Sequence, residues 1–230
     1  MQLWDESLKC VLKLILSMSD FDSPNISPLV QATLSLWKVC AETNLEALDN
    51  PTVYPEYGNF IQKLDLLKFD ELFQNPVFKS KLFVSHEAEY CDVFKNDHVH
   101  IMLIFMPPKM VYPIHDHPGM LVLSKVLKGQ AIINHFDIVD KQEFYANLGK
   151  LQHCRLKALK SHSNVLKENE LDIVLPEKGN LHSIDAVQRT VILDVMFNYY
   201  DDSERPCSFF TLGKPIGDDL YELFYHKEDD

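Results

Sequence analysis

Residues 111–129 read VYPIHDHPGMLVLSKVLKG, and within them His115 and His117 stand one residue apart between Pro113 and Pro118, with Gly119 directly behind. Side chains at i and i+2 on a strand point to the same face, so the two imidazoles lie side by side, as a chelating pair requires. The Pro-Gly dipeptide marks a turn, and the apolar run after it reads as the next strand. Two ligands alone hold a metal poorly. A third is offered downstream in PEKGNLHSID, residues 176–185, where Pro176, Gly179 and His182 follow an apolar strand. Gly179 permits the tight reversal that would carry His182 back across the sheet. The chain repeats the HxH spacing at His98 and His100, but these lead straight into an apolar run with no nearby turn and are expected at the surface.

Outward from this stretch the texture is that of strands. From about Lys81 short runs follow one another: KLFVS, HVHIMLIFM, LVLSKVLKG, QAIINHFDIV, CRLKALKS, ELDIVLP, TVILDVMFNYY and CSFFTLG. Several alternate apolar with polar residues, and Pro, Gly, Asn or Asp separates them. Eight or so short strands without intervening helices predict an antiparallel sandwich, barrel or jelly roll. The first 80 residues differ. Apolar spacing predicts helices over residues 3–18, from Ser27 as N-cap and Pro28 as first helical residue to about Glu42, and from Tyr57 to Phe73. The expected organisation is a helical segment over residues 1–80 packed on a β domain over residues 81–230.

Composition narrows the function. A net charge of −12 with no clustered basic face argues against nucleic acid as partner. The five cysteines are odd in number, widely spaced and lack a CxxC, so neither a disulfide framework nor a zinc ribbon is indicated. The run LKCVLKLILSMS has its lysines inside and its acids before, the wrong order for a secretory leader. No run has the length of a membrane span. The cytosol is the expected compartment, with the nucleus left open.

An HxH pair followed in one jelly roll by a Gly-anchored single histidine resembles the ligand pattern of the cupin superfamily. Cupins usually place a Glu a few residues after HxH, where this chain reads Pro118, Gly119, Met120, Leu121 and Val122. Three neutral imidazoles would keep the full charge of a dipositive ion and leave coordination positions free. Zinc there would suit hydrolysis or hydration, and ferrous iron would suit O₂ activation with an anionic substrate ligand such as a thiolate.

The resemblance goes further. PIHDHPGMLVLSKVLKG resembles the PLHDHPGM signature and following KVLYG of the cysteamine dioxygenase and plant cysteine oxidase family of thiol dioxygenases. NLHSIDAV is similar to the family's NLHxI, and ILDVMFNYYDDSERPCSFF follows its LDIL, PPY and CxYY pattern. This likeness implies a cupin β-barrel with Fe(II) on His115, His117 and His182. It also implies addition of both atoms of O₂ to cysteamine or an N-terminal cysteine, the peptide reaction feeding oxygen-dependent degradation through the N-degron pathway. Asp194 matches the aspartate of LDIL, and Tyr200 the tyrosine of PPY. In a run as apolar as VILDVMF a carboxylate needs a partner or a pocket, and a role orienting a ligand imidazole or the substrate is expected of it. Two departures stand out: PPY reads NYY, and CxYY reads CSFF, which puts Phe209 where relatives carry a phenol. Cys207 is expected as a buried thiol. The resulting expectation is a monomeric, cytosolic thiol dioxygenase. Its rivals are a non-catalytic cupin scaffold with the helical first 80 residues as partner surface, favoured by Phe209, and a zinc or nickel cupin with non-redox chemistry.

Overall fold

A computed structural model describes residues 24–43, 48–72, 86–148, 153–201 and 205–226. Among them lie eleven strands: β1 (Glu89–Lys95), β2 (Val99–Met106), β3 (Val111–Asp116), β4 (Leu121–Lys128), β5 (Gln130–Ile138), β6 (His153–Lys167), β7 (Leu171–Val174), β8 (Leu181–Ala186), β9 (Thr190–Phe197), β10 (Phe209–Gly217) and β11 (Leu220–His226). Helices α1 (Ile26–Thr43), α2 (Pro55–Leu66) and α3 (Phe69–Leu72) precede them, and α4 (Lys141–Asn147) lies between β5 and β6.

One sheet runs β1-β2-β9-β4-β7, and the other, β10-β11-β6-β5-β8-β3, closes into a barrel because β10 also pairs with β3. Counting β2 as the first of eight, β2 to β9 divide between the sheets in the orders 1-8-3-6 and 2-7-4-5, all paired antiparallel. That is the double Greek key of a jelly roll. The mainly β, cupin-type jelly roll expected from the histidine pattern is the fold observed, with β1 and the β10–β11 hairpin added at its edges.

The period of two decides what each face meets. In the first sheet Val99, Ile101, Leu103 and Phe105 of β2, Leu121 and Leu123 of β4, and Leu193, Val195 and Phe197 of β9 share a core with Leu29, Leu36, Phe60 and Leu64 of the helices. The alternate residues Ile104, Val126 and Ile192 instead face the barrel, against Ile133 of β5 and Ile184 of β8. Strands apolar on both faces explain why these runs look nearly continuous in hydrophobicity. Lys125 falls on the helix-facing side of β4, fully buried, and its Nζ donates to the carbonyls of Leu64 at 2.8 Å and Leu67 at 3.4 Å. A charged donor thus joins Leu67 N–H, 3.2 Å away, on the Leu64 carbonyl and also reaches the Leu67 carbonyl just past the end of α2.

The helix expected over residues 3–18 and the strand KLFVS lie outside the described residues. Other expectations need correction. The helix expected from Tyr57 to Phe73 starts at Pro55 and breaks after Leu66, where Lys125 takes its last carbonyls. Helix α1 begins at Ile26, so Ser27 lies within it rather than capping it. Helix α4 does intervene between strands, and β1 and β11 were not anticipated. The unanticipated β1 changes the fate of His100: covered by that strand, it is buried with Nε2 2.8 Å from Asp92 Oδ1, not a surface residue. His98 is exposed as expected, stacked on Trp37.

Candidate metal centre

Strands β10, β3, β8, β5 and β6 run side by side, and Phe209, His115, His182, His135 and His162 are successive cross-strand partners along them. Opposed residues share a face, so four imidazoles form a row. A register shift between Tyr112 and His115 sets the phase; it falls at Pro113, which has no N–H to give a ladder. His117 lies just past the end of β3. Met120 N–H donates to its carbonyl at 3.1 Å across Pro118 and Gly119, and Gly119 has φ +67°. Proline followed by positive φ is a type II turn, which the Pro-Gly dipeptide encodes.

His182 Nε2 lies 3.1 Å from His117 Nε2 and 3.1 Å from His115 Nε2. The tautomers follow from the other ring nitrogens. His115 Nδ1 is 3.0 Å from the Pro113 carbonyl, which can only accept, so the proton sits on Nδ1. The Tyr200 hydroxyl donates to the Asp116 carbonyl at 2.6 Å, so it accepts from His117 Nδ1 at 2.8 Å. Both Nε2 atoms are therefore bare lone pairs. A proton on His182 Nε2 could serve one of them and would leave the other unpaired. A cation serves all three. Imidazole nitrogens bound about 2.1 Å from one ion stand about 3.0 Å apart at right angles and about 3.4 Å apart at tetrahedral angles. The two observed separations of 3.1 Å lie in the range of nitrogens that bind one ion together. His182 Nδ1 is buried with no hydrogen-bond partner, making His182 the least supported of the three.

Burial keeps the donors neutral. It lowers the pKa of His115 to about 4 and, with the neighbouring imidazoles, holds His117 and His182 well below the ordinary histidine value. Neutral imidazole is the form a metal binds. Asp116, between the two histidines, must point to the opposite face, where it accepts from Ser208 N–H at 2.7 Å and Tyr145 O–H at 2.9 Å. It staples β3 to the start of β10 and to α4. Neither Asp116 nor Tyr145 was singled out in the sequence, since a carboxylate on a strand gives no sign of which hydroxyl will reach it.

Beside the imidazoles lies a cavity of about 70 Å³ walled by Met102, Ile104, Ile184 and Met196 together with Tyr90, Tyr112, Asp194, Tyr200 and Cys207. One water needs roughly 10–15 Å³ by this measure, so the space suits a small head group. Asp194 is placed in this wall by the same alternation that turns Leu193 and Val195 to the helices. It is buried, its Oδ1 has no hydrogen-bond partner, and burial raises its pKa to about 7, partly opposed by Ser124. Tyr200, not Asp194, is the residue found holding a ligand-type imidazole. Cys207 is half-buried and lines the cavity, and Phe209 packs beside His115 with ring centroids 5.9 Å apart.

The PCO_ADO family model matches residues 60–216, more than half of the chain. The chain belongs to that family. Among curated relatives, a Dictyostelium discoideum protein named "Probable 2-aminoethanethiol dioxygenase" is 30% identical over 125 residues, 53% of this chain and 54% of that one. Plant cysteine oxidase 1 of Arabidopsis thaliana is 33% identical over 124 residues, 53% of this chain and 40% of that one. The chain thus spans about half the length of the family relatives it matches. Among solved structures, a cupin superfamily protein of Desulfitobacterium hafniense is 14% identical, with a TM-score of 0.37 over 57% of this chain and 88% of that one.

Proposed function

We propose that this family member is a thiol dioxygenase that holds ferrous iron on His115, His117 and His182 and oxidises cysteamine, or a cysteine at the N-terminus of a peptide or protein, to its sulfinic acid. The observation that carries the reading is the convergence of three neutral imidazoles, His182 Nε2 lying 3.1 Å from Nε2 of both His115 and His117, beside a small cavity that these two line together with Asp194, whose Oδ1 has no hydrogen-bond partner. The relatives' names supply the reaction class. Iron there would supply a redox-active centre open to both sulfur and O₂.

The reaction balances without a reductant: R–SH and O₂ give R–SO₂H, sulfur losing the four electrons that dioxygen gains. The chain's own residues orient and shield. Pro113 and Tyr200 fix two imidazole tautomers, as outer partners of metal ligands do. Asp194, once ionised, holds the ammonium that lies two carbons from the sulfur in both substrates. Met102, Ile104, Ile184 and Met196 keep water from the reacting atoms. Oxidation of N-terminal cysteine would make the lifetime of a substrate protein follow oxygen supply through the N-degron pathway. The reading includes a monomer working in the cytosol, and in the nucleus where substrates are there. No helix among the described residues is long and apolar enough to cross a membrane.

Iron-loaded full-length protein, given cysteamine and a panel of N-terminal cysteine peptides, should yield products heavier by two oxygen atoms. His182→Ala should lose both stoichiometric iron and O₂ uptake. Turnover retained in His182→Ala would refute the assignment. A wild-type protein that binds no iron would favour a scaffold, and one active only with zinc or nickel would favour non-redox chemistry.

A further inference from the structure

One step along the histidine row from His182 lies a second convergence that the proposed reaction does not use. His135 of β5 and Asp172 of β7 are both buried, and His162 of β6 is exposed at their edge. The donor atoms of the three lie within 4.8 Å of one another. Each residue has one donor already engaged. His135 Nδ1 donates to the Gly179 carbonyl at 3.0 Å, Asn164 Nδ2 donates to Asp172 Oδ1 at 2.7 Å, and Ser161 Oγ is 3.2 Å from His162 Nδ1.

What remains is anomalous. With its Nδ1 proton on the Gly179 carbonyl, His135 turns Nε2 toward Asp172 Oδ2 at 2.8 Å, and that carboxylate raises the imidazole's pKa against the effect of burial. Both atoms are fully buried and neither makes an aligned hydrogen bond. At that distance they need a positive charge against both, a proton on Nε2 or a metal ion, and because the ring N–H direction is not aligned on Oδ2 a proton serves the pair poorly. His162 stacks on His135, ring centroids 4.2 Å apart and planes 8° from parallel. Parallel rings cannot share an ion in both planes, but the exposed His162 is free to tilt out of the stack.

We propose that His135, His162 and Asp172 form a second divalent-metal site, of two imidazoles and one carboxylate, suited to Zn²⁺. The donors come from both sheets, β7 on one side and β5 and β6 on the other, so the ion clips the jelly roll together at this edge. It also reaches the first centre. Gly179, which accepts from His135, takes φ +62° three residues before His182, and its N–H donates to Asp137 Oδ1 at 2.6 Å. Zinc at the outer site therefore fixes the turn that presents His182, which gives metal supply a hold on the inner site. This proposal does not depend on the activity assigned to the inner site.

The test is metal stoichiometry of the full-length, initially metal-free protein, titrated with Zn²⁺ by calorimetry and with Co²⁺ by its visible absorption. Wild type should take two equivalents per chain. His162→Gln, a surface change that leaves the fold intact, should take one. The double variant His115→Ala, His182→Ala should also take one, and should give that up when His162→Gln is added. Wild type taking a single equivalent that persists in His162→Gln would overturn the proposal. So would an imidazolium at His135, both ring nitrogens protonated by ¹⁵N NMR, in zinc-saturated protein.

Discussion

Tyr200 shows how one hydroxyl settles a ligand. It donates to the Asp116 carbonyl and so must accept from His117 Nδ1, which leaves Nε2 bare. Tyr200→Phe should weaken metal binding by about 10- to 100-fold while leaving stoichiometry unchanged, as read by competition with a chelator. Asp194 makes a prediction of the opposite kind. Burial raises its carboxyl from 3.8 to about 7. Between those values the native protein holds a proton that the unfolded chain has released, so its ionisation erodes stability as pH rises from about 4 through 7, and the full cost is present above 7. In metal-free protein Asp194→Asn should match wild type in urea unfolding near pH 4 and exceed it at pH 8, by up to about 4 kcal/mol. With substrate the sign reverses. Ammonium needs the ionised form, so Asp194→Asn should lower kcat/KM for an N-terminal cysteine peptide by about 10- to 100-fold, as loss of a charged hydrogen bond would. An N-acetylated peptide should show no such difference between wild type and variant.

At the scale of elements, the contact between α2 and β4 turns on Lys125. Its ammonium is buried beside the Leu64 and Leu67 carbonyls, and Asp65 Oδ1, at 3.7 Å, is too exposed to contribute much. Lys125→Met keeps the aliphatic stem but removes the charged donor from both carbonyls, leaving Leu64 O only the Leu67 N–H at 3.2 Å. The expected loss is about 2 kcal/mol, measured as a lower urea midpoint with unchanged slope. Lys125 was legible as a strand residue in LVLSKVLKG, but nothing in that run says that a helix end lies over it. The same blindness hid α4, too short for its period to register, and β1, whose absence from the reading made His100 look exposed. Strands with turn residues at both ends, such as β4 and β5, were read within a residue or two because the local chemistry of the turn marks them.

For the molecule as a whole, the helices are not an appendage. Leu29, Leu36, Phe60 and Leu64 share one core with β2, β4 and β9, and Phe60 meets Phe197 edge-on at 5.7 Å. Separating residues 81–230 from residues 1–80 would bare an apolar sheet face far broader than soluble monomers expose. That fragment should bind a hydrophobic dye or aggregate, where the full chain does neither; light scattering at matched concentration decides. A fragment that stays monomeric and dye-free would mark residues 81–230 as an independent folding unit.

Local chemistry written in the chain was sufficient for the strand texture, the Pro118-Gly119 turn and the three histidines, because period, turn residues and donor type are properties of short segments. Which imidazoles meet is a property of strand order. Residues 115 and 182 become neighbours only because β3 and β8 pair, and His135 and His162 join their row only because β5 and β6 lie next along. The partners that make a ring nitrogen a ligand, Tyr200 for His117 and the Pro113 carbonyl for His115, are likewise set by packing. A hydrogen bond depends on distance and direction, and a linear sequence encodes neither across a sheet.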